Sequence, residues 1–208
     1  MKKNMAVFMA VFMAVFMAVV SSHAQGCATA PAGLVAWWQA EDNAYDSIGN
    51  NNGTLINGTS FTNGEVGQAF NLNGVNNFVL VNAGPNLTTG LQNGFTFESW
   101  INPTTVTSVV ELFEYERALA TGNGADVGVL FAIHNQAPDG TSGPCLYANI
   151  VDASSAHVIA SPVGLLTAGS WQHVALTYDK ASGLAAIYIN GTNVAQANLG
   201  SFTPLGRR

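Results

Sequence analysis

Between Trp171 and Ala197 the sequence runs WQHVALTYDKASGLAAIYINGTNVAQA, and no other stretch restricts the fold as tightly. Val174, Leu176 and Tyr178 occupy alternate positions, as do Ile187 and Ile189, so each run has the two-residue period of a pleated strand. Lys180–Gly183 supplies a first turn. Asn190-Gly191 supplies a second, because both residues tolerate the positive φ that a tight type I′ hairpin requires. The stretch reads as a three-stranded β-meander.

The rest of the chain repeats the same grammar. Asn-Gly pairs stand at 52/53, 57/58, 63/64, 73/74, 93/94, 123/124 and 190/191, a rhythm that argues for many hairpin or bulge turns. The spacing predicts strands over Leu34–Gln39, Gly53–Ile56, Ser60–Thr62, Gln68–Leu72, Phe78–Val81, Phe95–Ile101, Val109–Tyr115, Val127–His134, Leu146–Val151 and His157–Ala160. In FTFESWIN, Phe95, Phe97 and Ile101 share one face, and Thr96, Glu98 and Trp100 share the other. Trp37 and Trp38, being adjacent, must point to opposite faces of a strand. No segment carries a long apolar stripe of helical period, so very little helix is expected. The fold class is all-β, a two-sheet antiparallel sandwich.

With 208 residues, 48% hydrophobic and 9% charged, the chain suits one domain with a sizeable core and excludes a charged disordered tail. Lys2 and Lys3 precede an uncharged run from Met5 to Val20 and a Ser22-His23-Ala24 site, the pattern of a secretory signal peptide over residues 1–24. The run is shorter than a transmembrane helix needs. Residues 25–32 read as an Ala/Pro linker and 33–208 as the domain. Loss of Lys2 and Lys3 makes an already acidic chain, at a formal net charge of −6, more acidic still. Nucleic acid and anionic membranes bind through clustered Lys and Arg, which this chain lacks, whereas cations and neutral sugars stay open as partners. Export makes a disulfide between Cys27 and Cys145 plausible, with a free and a buried thiol as the alternative.

Four segments together resemble the LamG-like jellyroll domains of the concanavalin A-like lectin/glucanase superfamily: GLVAWWQAEDNAYDSIGNNNGTL at 33–55, GEVGQAFNLNGVNNFVLV at 64–81, FTFESWINP at 95–103 and GSWQHVALTYDKASGLAAIYINGT at 169–192. The resemblance implies a jelly-roll of two curved antiparallel sheets whose rim loops hold calcium or a glycan in some relatives. It implies no defined activity. It also implies a further strand pair after Thr203, so the C-terminal strands are expected to be missing, with a sheet edge near the first strand uncovered.

For catalysis the candidate is Glu111-Leu112-Phe113-Glu114-Tyr115-Glu116. Laminarinase-type hydrolases on this fold carry E-x-D-x-x-E on one strand, and retaining chemistry needs two carboxyls flanking the sugar bond. On a regular strand Glu114 and Glu116 share a face, Glu111 points away, and Phe113 replaces the central Asp. No catalytic residue is therefore assigned, and the chain is expected not to be an enzyme. His134, His157 and His173 have no zinc-ligand spacing, and nucleophile-elbow and phosphate-loop motifs are missing. For calcium, Asp46 and Asn51 in the 42–52 loop and Asp126 offer oxygens, although Asp and Asn are equally turn formers. For a sugar platform, Trp38, Trp100, Trp171 and Tyr147 offer rings, with core packing as the competing fate. The function expected is a secreted or cell-surface recognition or adhesion module, binding a glycan or extracellular protein through rim loops. A structural spacer within a larger surface protein is the alternative, and a glycoside hydrolase is the least favoured.

Overall fold

Alternating polarity is realised as antiparallel pairing throughout. A computed structural model describes residues 30–82, 84–116 and 127–205. The expected signal peptide, Cys27 and Asp126 lie outside the described residues. The chain divides into Met1–Ala32 and Gly33–Arg208, and every strand among the described residues belongs to the second unit. In chain order the elements are β1 (Gly53–Ile56), β2 (Ser60–Asn63), β3 (Gln68–Asn71), β4 (Phe78–Val81), α1 (Pro85–Gly90), β5 (Gly94–Ile101), β6 (Val110–Glu116), β7 (Val127–Gln136), β8 (Ser142–Val151), β9 (Ala156–Ala160), β10 (Gln172–Asp179), β11 (Leu184–Ile189) and β12 (Thr192–Asn198). They form two four-stranded sheets, ordered β12-β11-β10-β5 and β6-β7-β8-β9, and two two-stranded ribbons, β1-β4 and β2-β3.

The four-stranded sheets pack face to face. Phe97 of β5 stacks on Phe113 of β6 with ring centroids 4.3 Å apart, and meets Phe131 of β7 edge-on at 6.0 Å. Val129, Phe131, Ile133, Leu146 and Ile150 from one sheet, and Val174, Leu176 and Ile187 from the other, are fully enclosed. Each such side chain contributes about 1.5–3 kcal/mol by leaving water.

A residue near the end of the chain ties the two sheets together. Phe202 stacks on Tyr178 of β10 at 4.7 Å and on His157 of β9 at 3.8 Å. The Tyr178 hydroxyl accepts from the Phe202 N–H at 2.9 Å and donates toward the Gly200 carbonyl at 2.9 Å. The Leu205 N–H then donates to the Val151 carbonyl at 2.8 Å.

Two Asn-Gly pairs make the tight turns expected of them: Asn57 and Gly58 between β1 and β2, and Asn190 and Gly191 between β11 and β12, all at positive φ. Gly53 and Gly94 instead open strands.

Three expectations need correction. The predicted first strand, Leu34–Gln39, is reduced to one bridge between Trp38 and Asp46. Side chains take part of the place of a neighbouring strand: the Trp37 N–H donates to Asp46 Oδ1 at 2.9 Å and the Val35 carbonyl accepts from Asn86 Nδ2 at 3.0 Å, while the Trp37 carbonyl accepts from the Ser47 backbone N–H at 2.9 Å. The disulfide is also overturned, since Cys145 is a free thiol with no exposure, enclosed on β8 opposite His134 in the ladder. Burial, with the charge of Asp139 added, pushes that thiol up. Finally, β6 is not regular. A bulge between Glu111 and Phe113 places Glu111 opposite Ala132 and Glu114 opposite Leu130, so these two glutamates share the sheet's outer face, and a second irregularity between Tyr115 and Glu116 breaks the alternation again. Among the described residues no helix is long and apolar enough to cross a membrane.

Candidate functional site

The loop expected to offer calcium oxygens is a hydrogen-bonded knot. Asp46 Oδ1 accepts from the N–H groups of Trp37 and Ile48, and Oδ2 accepts from the N–H and the Nδ2 of Asn51, at 2.8–3.2 Å. Asn51 Oδ1 accepts in turn from the Gly84 N–H at 2.8 Å, and the Asn51 carbonyl accepts from Trp38 Nε1 at 2.8 Å. Burial raises the Asp46 carboxyl, but N–H groups of Gly49, Trp37, Asn51 and Ile48 outweigh it and hold the group at about 2. Trp38, half-buried, is thus a strut of this knot. Among the described residues no three His, Cys, Asp or Glu side chains converge in a metal-binding group.

Tyr147 lies on the outer face of the β6-β7-β8-β9 sheet. Its ring stacks flat on His134, with centroids 4.1 Å apart and planes 13° from parallel. Burial pushes the Tyr147 hydroxyl up and His134 down, which favours the neutral form of each. Glu111, Ala132, Tyr147 and Ala160 form one cross-strand row. One row further along, Asn149 holds a buried Oδ1 without a hydrogen-bond partner.

The outer face of the other sheet is more open. Along β5, Thr96, Glu98 and Trp100 are exposed while the intervening residues are half-buried, so the alternation read from FTFESWIN sets three side chains outward. Register pairs Trp100 with His173, and runs Glu98, Ala175, Tyr188 and Asn193 as the next row. Trp100 is 43% exposed and meets the His173 ring edge-on, at 5.3 Å and 70°. The edge contact leaves much of the indole free, which the flat His134–Tyr147 stack does not do for its rings. His173 Nε2 stands 4.0 Å from Glu98 Oε2, inside the reach of its charge but beyond a hydrogen bond. Between Glu98 and Tyr188 the small Ala175 forms a floor. Trp100 and Tyr188 lie two strands apart, roughly 10 Å across the sheet. Trp171, half-buried, comes just before β10.

The four rings proposed from sequence therefore do not form one site. Trp100 stands on an open face, Tyr147 on the opposite outer face, Trp38 in the loop knot and Trp171 at a strand start. Glu98, His173 and Tyr188 complete the Trp100 face; Glu98 follows from alternation along β5, while His173 and Tyr188 come from other strands and are revealed only by cross-strand register.

Residues 73–207 match the family model of the Concanavalin A-like lectin/glucanases superfamily. Among solved structures, domain 4 of AbnA, a GH43 extracellular arabinanase from Geobacillus stearothermophilus, in complex with arabinotriose, aligns at a TM-score of 0.56 and 18% identity, over 81% of this chain and 77% of that one. The heptameric SAP-like pentraxin of Limulus polyphemus aligns at a TM-score of 0.38 and 20% identity, over 53% of this chain and 48% of that one. No curated protein matches the chain in sequence.

Proposed function

This chain belongs to the concanavalin A-like lectin/glucanases superfamily, and we infer that it is an exported, non-catalytic module that binds an oligosaccharide on the outer face of the β12-β11-β10-β5 sheet. The observation that carries the reading is the exposed Trp100 indole, set edge-on to His173 and flanked by Glu98. A pyranose or furanose ring presents C–H groups that stack on an indole face, and hydroxyls that need donors and acceptors beside it. Glu98 supplies acceptors, and His173 and Tyr188 supply groups of either kind. Support for a sugar ligand also comes from the arabinanase domain that shares the fold and was solved with arabinotriose. Export rests on the apolar run behind Lys2 and Lys3.

Affinity electrophoresis across neutral polysaccharides, followed by titration with the best oligosaccharide, tests the reading. Trp100→Ala is expected to weaken binding about tenfold or more, while Tyr147→Ala leaves it unchanged. Loss of binding in Tyr147→Ala but not in Trp100→Ala moves the site to the other sheet. Silence across all polysaccharides favours the spacer, and turnover abolished by Glu111→Gln or Glu114→Gln favours a hydrolase.

A further inference from the structure

The full sequence carries 12 acidic groups against 6 basic ones, and the described part is more uneven still. Among the described residues Lys180 is the only Lys or Arg, against Glu41, Asp42, Asp46, Glu65, Glu98, Glu111, Glu114, Glu116, Asp139, Asp152 and Asp179. Lys180 itself donates to Thr203 Oγ1 at 2.6 Å, far along the sheet from the Trp100 end, since its strand runs from Gln172 to Asp179.

On the open face the imbalance is local as well as global. Glu98 and Trp100 stand two residues apart on β5 and point the same way, about 7 Å along the strand. The Glu98 side chain is 58% exposed. Across the sheet its row continues with Ala175, Tyr188 and Asn193, and the row beyond holds Thr96, Thr177, Ala186 and Gln196. None of these carries a positive charge at neutral pH. His173 is the only titratable nitrogen in these rows, 4.0 Å from the carboxylate and 5.3 Å from the indole.

We propose that the oligosaccharide taken by this face carries free amino groups, as a de-N-acetylated hexosamine chain does. The inference rests on the sugar-binding reading above and narrows it. A protonated sugar amine placed between Trp100 and Glu98 meets together the negative face of the indole and a carboxylate that has no Lys or Arg in its rows. An acetylated sugar stacks on the same indole but offers Glu98 only neutral donors, which bind a carboxylate more weakly than an ammonium does. A uronic or sulfated sugar brings its anion toward Glu98 and into an acidic surface, which repels it. Ammonium recognition on a sheet face of this kind is screened within about 8 Å at physiological ionic strength, so the preference is salt-dependent.

Calorimetric titration of the full chain with a β-1,4-linked glucosamine hexamer, its N-acetylated counterpart, a galacturonate hexamer and hexalysine tests this. The expected result is an approximately tenfold preference for the free amine over the acetylated hexamer at low salt. That preference is expected to fall to near unity at about 0.5 M salt and in Glu98→Gln, where the loss of affinity for the free amine exceeds any loss for the acetylated hexamer. Equal or tighter binding of the acetylated or galacturonate hexamer overturns the amine proposal and leaves sugar binding standing. Hexalysine binding as tightly as the glucosamine hexamer overturns it too, because charge alone then suffices. No binding of any sugar overturns both readings.

Discussion

Replacing Asp46 by Asn probes the loop knot. Its carboxyl is held at about 2 instead of the ordinary 3.8, and at about 1.4 kcal/mol per pH unit the ionised form contributes about 2 kcal/mol to folding. The carboxamide also turns an NH2 toward donors that Asp46 now satisfies, those of Asn51 or of Trp37 and Ile48, adding about 1–2 kcal/mol. Asp46→Asn is therefore expected to lose about 3–4 kcal/mol at pH 7 by urea unfolding. Because the folded-state value is depressed, the charge term is complete above about pH 4 and is lost as pH falls through about 2. Asp139, Asp152 and Asp179 are lowered as well, so the wild type alone cannot isolate the effect. The difference between wild type and variant can, and it should shrink by about 2 kcal/mol over that window. A difference that stays constant from about pH 5 to about pH 2 would mean that the Asp46 charge does not stabilise the knot.

Further expectations concern the two ends of the sandwich and the thiol. Tyr178→Phe removes the hydroxyl that serves Gly200 and Phe202; a loss of about 1–2 kcal/mol, with faster amide exchange at Phe202 and Leu205, is expected in hydrogen-exchange measurements. Gly128→Ala sets a methyl against the Leu205 carbonyl, which is backbone and cannot swing aside. Thermal unfolding is expected to show a loss of about 1–3 kcal/mol, and an unchanged midpoint contradicts that packing. Cys145 is expected to resist alkylation in the native protein and to react without reductant once unfolded, because the buried thiol is both shielded and pushed up.

Much of the architecture is legible in the amino-acid sequence itself. Period-two alternation needs only neighbours along the chain, so FTFESWIN and the Trp171–Ala197 meander can be read directly, and Asn190-Gly191 declares its turn through its tolerance of positive φ. Leu34–Gln39 misleads because alternation says nothing about who supplies the hydrogen bonds, and here Asp46 and Asn86 supply part of them from a distance. The glutamates of β6 mislead for a related reason. One bulged residue reverses every later side chain, and Leu112 carries no mark of it. Glu98, His173 and Tyr188 become neighbours only through register across β5, β10 and β11, which is a long-range property. Cys145 could not be assigned from cysteine count, since a thiol enclosed beside His134 and Tyr147 reads the same as a paired one.

Sugar binding on the open face is open to a residue-by-residue test, a side-chain NMR map recorded during oligosaccharide titration. The Trp100 indole N–H and the His173 and Tyr188 ring signals are expected to shift together and saturate at one concentration, with His134, Tyr147 and the Trp38 indole N–H unmoved. Shifts centred on His134 and Tyr147, with Trp100 silent, would contradict it.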